Sequence, residues 1–142
     1  MVAVLLALVF GGAGYAYRYA RDHADQAIHQ VIDTQLPQRV QAHAWAPVAH
    51  GRPKPRDAVV FDAGRVDTVR CHVGLGSYRL TVVHGFSFTA STARIRPGCP
   101  GALVRRALAK ASHAADATDG TATTLTFTGS GRTVLTLRGV PR

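Results

Sequence analysis

Acidic residues are scarce in this chain of 142 residues, where eight Asp plus Glu stand against seventeen Lys plus Arg for a formal charge of +9. No two carboxylates are placed as an acid and base pair, and neither a GxSxG elbow nor a P-loop occurs, so the motifs of acyl and phosphoryl transfer are missing. Cysteine is scarcer still, at two residues, and neither CxxC nor HxxxH is present. The seven histidines are dispersed, which leaves no metal-ligand spacing. No catalytic, cofactor-binding or metal-binding residues are therefore expected.

A basic stripe is missing too. The positive charge makes polyanions such as anionic lipid or acidic wall polymers electrostatically favoured neighbours. The arginines are nevertheless scattered singly, with Arg105-Arg106 the only adjacent pair, and no aromatic residues interleave them as in single-strand binders. A specific nucleic-acid partner is not expected.

What the chain does have is an uncharged start. Met1 to Tyr17, "MVAVLLALVFGGAGYAY", would reach about 25 Å as a helix, slightly short of the ~30 Å hydrocarbon core of a bilayer. It is expected to contact the cytoplasmic membrane, as a single-pass anchor with Arg18 and Arg21 at its border, or as a secretory segment cleaved near Gly14-Tyr15-Ala16. The positive-inside rule, applied to Arg18 and Arg21, would hold the rest of the chain in the cytoplasm. A start codon assigned too late would remove a basic segment before Met1 and restore an extracytoplasmic placement. Residues 1–19 are assigned to this anchor and 20–42 to a helical stalk, with Pro37 expected to end a weakly amphipathic helix. Residues 43–142 are assigned to the domain, with a Pro-rich basic loop expected within it at 50–57.

From Ala58 the apolar period drops toward two. "AVVFD", "RVDTVRCHV" and "SYRLTVV" are expected strands, with a turn at His84-Gly85 before Phe86, Phe88 and Ala90. "CPGALVRRALAKASHA" predicts one helix, with Pro100 in its first turn and Leu103, Val104, Ala107, Leu108 and Ala111 on its apolar face. "TLTFT", "GSG" and "TVLTL" predict a hairpin in which Leu125 and Phe127 face Leu135 and Leu137. The expected core comprises Trp45, Phe61, Tyr78, Leu80, Phe86, Phe88, Leu103, Leu108, Phe127 and Leu135.

Cys71 and His72 are adjacent, so on a strand they would point to opposite faces. A Cys nucleophile would need a base elsewhere, for which His43 or His84 could be proposed but neither is singled out. Behind an export segment the simpler reading is a disulfide between Cys71 and Cys99, closing a loop of about 29 residues worth roughly 3 to 4 kcal/mol. Two buried free thiols are the alternative.

These residues together resemble the META domain, or HslJ-like, family of bacterial envelope proteins, from Trp45 to Arg138. The elements in order are Trp45, "VVFDAGRV", Cys71 with Gly76 and Tyr78, Thr92 before Cys99-Pro100, the Leu103 to Ala111 helix, and "TLTFTGSGRTVLTL". Arg70 and His72 stand where the family has Gly and Asn, the Asn suiting a tight turn. The resemblance implies a mainly β (α+β) fold, a small antiparallel β-barrel-like domain with one packed helix. It also implies a non-enzymatic envelope protein, a binding or stress-protective module on the outer side of the cell membrane, or secreted. Its partner would be an unknown envelope protein. A basic polyanion-binding surface protein and a Cys-dependent redox protein are the alternatives. Trp45, Gly76, Tyr78 and Pro100 are its expected structural positions, Gly76 as a site where a Cβ would obstruct.

Overall fold

The computed structural model describes residues 32–142. The expected anchor at 1–19 and the stalk as far as residue 31 lie outside the described residues. Among those described, no helix is long and apolar enough to cross a membrane. Asp33–Arg142 form one unit, which takes in ten residues expected to belong to the stalk.

The reason is a short helix, α1 (Leu36–Gln41). Pro37, expected as a stop, sits in its first turn, where a missing N–H costs nothing and the fixed φ already suits the helix. Leu36 and Val40, four residues apart, share a face and are buried in the core. The Val40 carbonyl accepts a 2.7 Å hydrogen bond from the Trp45 indole N–H, so the largest core side chain is satisfied and tied to the helix at once.

Among the described residues, nine antiparallel strands form one sheet. They are β1 (Ala44–Ala49), β2 (Arg52–Pro53), β3 (Val59–Asp62), β4 (Arg65–Thr68) and β5 (Gly74–Leu80), then β6 (Phe86–Ala90), β7 (His113–Asp119), β8 (Ala122–Gly129) and β9 (Arg132–Val140). A 3-10 turn at Pro55–Asp57 precedes β3, and the helix α2 (Ala102–Leu108) separates β6 from β7. Spatial order is β6-β5-β4-β3-β1-β9-β8-β7, with β2 paired to β1. The sheet is not closed into a continuous ladder. No ladder joins its edges, β6 and β7; an isolated bridge links Gly85, just before β6, to His113 of β7, supported by Phe86 N–H donating to the Ser112 carbonyl and Ala114 N–H to the His84 carbonyl.

The hairpins follow from turn chemistry. β8 and β9 join through Ser130-Gly131, both at positive φ, the geometry that matches strand twist. The expected pairs Leu125 with Leu137 and Phe127 with Leu135 are in register. Ala63-Gly64 join β3 to β4 in the same way.

α2 departs from expectation at both ends. Gly101 is its N-cap, leaving Pro100 outside the first turn, and it stops at Leu108. Val104 and Leu108 are its buried residues, whereas Leu103, expected in the core, is 75% exposed. Residues 113–119, part of which was expected to prolong the helix, form β7. Trp45, Phe61, Phe86, Leu108 and Phe127 are buried as expected, with Tyr78, Leu80, Phe88 and Leu135 half-buried against them. The rest of the core, including Val59, Val66 and Leu75, comes from residues outside the expected set.

Candidate functional site

Cys71 and Cys99 form a disulfide, with Cα atoms 5.8 Å apart, and neither is free. Cys71 does not lie on a strand: β4 ends at Thr68, and residues 69–71 turn. Thr68, buried and polar, holds that turn, its hydroxyl accepting from Val73 N–H at 2.9 Å and its own N–H donating to the Val73 carbonyl. His72 completes it at φ +51°, a left-handed conformation enriched in Asn, Asp and His. The opposite-face argument for Cys71 and His72 therefore lapses, because neither belongs to a strand.

Cys99 lies at the entrance to α2, so the disulfide ties the β4–β5 turn to the start of the helix. Gly101 lets the two approach. At φ +121° it packs so closely that a Cβ would lie 2.7 Å from Leu75 Cδ2 and 2.9 Å from Thr68 Cγ2. On the next turn the Arg105 guanidinium donates to the carbonyls of Ala93 at 2.7 Å and Ser91 at 3.3 Å, pinning the loop that leads to Cys99. Gly101 escaped sequence reasoning, although its place between Cys-Pro and a helical period was a usable signal.

Beside this clamp runs a groove of about 370 Å³. Pro47, Ala49 and Leu135 form its sheet side, while Pro100, Leu103 and Val104 form its helix side. Cys99 touches it, and Lys54 and Asp57 stand on its lip. Pro47 and Ala49 share a face of β1 with Trp45, so the groove opens at the end of the sheet face that carries the core. Its origin is local. β1 presents Pro47, Val48 and Ala49 to it, and these compact side chains leave space that a Leu or Phe would fill.

The expected motif residues do not converge on one site. Trp45 is buried beneath α1. Tyr78 meets Phe61 edge-on at 5.2 Å, and burial pushes its hydroxyl above the ordinary value against an opposing hydrogen bond from Gln41. Gly76 pairs with both neighbouring strands, and a Cβ there would collide with the Thr89 carbonyl oxygen. Only Pro100 and Cys99 reach the groove.

The two proposed bases are occupied elsewhere. His84 Nδ1 lies 3.1 Å from the Ala114 carbonyl, and His43 packs on Trp45 at 5.5 Å. Among the described residues, no group of three His, Cys, Asp or Glu could hold a metal ion. The tightest polar cluster is Arg39 with Asp33 and Asp116. Arg39 donates to both Asp116 oxygens at 2.6 and 2.9 Å and also pairs with Asp33. Asp33 N–H in turn donates to the Val82 carbonyl at 2.7 Å, so the cluster fastens α1 across β7 and the β5–β6 turn. The Arg39 guanidinium holds the Asp33 carboxyl below its ordinary value.

The chain matches no family model, no curated protein and no solved structure.

Proposed function

We propose that this is a non-enzymatic cell-envelope protein whose META-like, β-barrel-like domain acts as a binding or stress-protective module outside the cytoplasmic membrane. Met1 to Tyr17 would anchor it, or be cleaved to release it. The observation that carries the reading is the Cys71–Cys99 disulfide, since such bonds persist in oxidising compartments and are rare in the cytosol. Two further features support it. His72 occupies a left-handed turn position where the resembled family has Asn, and an isolated bridge joins Gly85, just before the edge strand β6, to His113 of the other edge strand, β7. The groove beside the disulfide is a concave apolar feature through which such a module would bind.

Thiol counting tests the reading on protein isolated from its own envelope. No alkylatable thiol is expected before reduction and two after it; two reactive thiols in the native protein would contradict it. A second reading is supported by residues 50–57, expected as a loop but carrying β2 and the 3-10 turn, where Arg52, Lys54 and Arg56 are exposed and form no salt bridge among the described residues. As a polyanion-binding surface, this segment would lose affinity steeply as ionic strength rises.

A further inference from the structure

We propose that the groove between β1, β9 and α2 binds a single-chain amphiphile with an anionic head, a medium-length alkyl carboxylate. This deepens the binding-module reading and rests on it. The walls are hydrocarbon: Pro47, Ala49 and Leu135 on one side, Pro100, Leu103 and Val104 on the other. Leu103 is 75% exposed on the rim, an apolar side chain with no place in the core. The volume of about 370 Å³ falls at the lower end of the ~300–1,000 Å³ usual for small-molecule sites. That is room for one alkyl chain and too little for a two-chain lipid. Charge sets the sign of the head. Lys54 stands on the lip, and Arg52 and Arg56 flank it, all three exposed. Asp57 also lines the groove and offsets Lys54, so the surplus of positive charge toward an incoming anion comes from Arg52, paired with the groove residue Ala49 across β1 and β2, and from Arg56 beside it in the chain. The site is preformed, because the disulfide and the β1–β9 pairing hold its walls, and little ordering is left for the ligand to drive.

The test uses the purified full-length chain and dodecanoate bearing a photoactivatable diazirine. Crosslinks are expected within 47–54 and 99–104. Octanoate, decanoate and dodecanoate should displace the probe with affinity rising about fourfold per methylene until the groove is filled, and dodecyltrimethylammonium should not. Leu103→Asp and Lys54→Glu should each cut labelling of these segments at least about fivefold, while Lys110→Glu, away from the groove, leaves it unchanged. Both positions are exposed, and melting curves would confirm that the variants fold. Labelling confined to other segments, equal displacement by the cationic amphiphile, or full labelling of Leu103→Asp would overturn the assignment. Displacement by anionic two-chain vesicles and not by monomeric decanoate would overturn it as well. None of these outcomes depends on export, so an inactive export fusion with intact labelling would remove the envelope reading alone.

Discussion

Replacing Gly76 by Ala separates two costs that usually arrive together. β5 is an interior strand, and Gly76 pairs with Val66 on β4 and with Ala90 on β6. Its φ is +154°, a conformation that costs an L residue about 1–3 kcal/mol. The new methyl would strike the Thr89 carbonyl oxygen and stand 2.7 Å from Phe88 Cζ. Backbone cannot yield as a flexible side chain can, so this crowding should add about 1–3 kcal/mol. The smaller entropy of the unfolded alanine chain returns about 0.4–1 kcal/mol, leaving a net loss of about 1–5.5 kcal/mol. Gly98 supplies the comparison, since it too has a positive φ, +84°, but nothing lies within 4 Å of its Cβ position. Gly98→Ala should therefore cost only the backbone part, about 1 kcal/mol. Urea melts of both variants read the difference, and thermal melts should show about 4 °C per kcal/mol for a domain of this size. Equal losses at the two positions would refute the close approach at Gly76, and with it the β5–β6 register.

Three other outcomes follow from the same geometry. Leu108→Ala, in the core, should destabilise by about 2–5 kcal/mol, whereas exposed Leu103→Ala should stay within about 0.5 kcal/mol; similar losses in chemical denaturation would contradict the orientation of α2. Cys71→Ser with Cys99→Ser should cost about 3 to 4 kcal/mol for a bond spanning 28 positions, and should raise the denaturant m-value by letting the unfolded chain expand; an unchanged melting temperature would count against the clamp. The Asp33 carboxyl is lowered from 3.8, chiefly by its hydrogen bond to Arg39. Its stabilisation is thus fully present above about pH 4 and lost as pH falls through the lowered value. Asp33→Asn should flatten the acid limb of a stability profile, and an identical limb would show that the Arg39 cluster contributes nothing there.

The parts of the fold legible in the sequence are those where local pattern and tertiary environment agree. The β8–β9 hairpin is one: Leu125, Phe127, Leu135 and Leu137 alternate, and Gly129-Ser130-Gly131 contains the turn that its register needs. α2 is legible in existence but not in orientation. Leu103 and Val104 are equally apolar, and the seating of Gly101 on Leu75 and Thr68, a tertiary contact, decides which of them turns inward. β7 gave no signal because only Ala114 along it is buried; its pairing with β8 holds it as a strand. Pro37 misled because proline opens helices as well as ending them, and only the burial of Leu36 and Val40 distinguishes the two. At the candidate site, the disulfide partners were readable from cysteine number. The groove was not, because it is made by small residues on β1 meeting a helix more than fifty positions later.

We propose that the disulfide-clamped domain lies outside the cytoplasmic membrane, and a reporter active only after export, fused after Arg142, tests this most directly. An active fusion is the expected result, with Cys71 and Cys99 oxidised in the same cells. An inactive fusion expressed at normal levels would contradict the placement, and it would remove the oxidising environment on which the clamp depends.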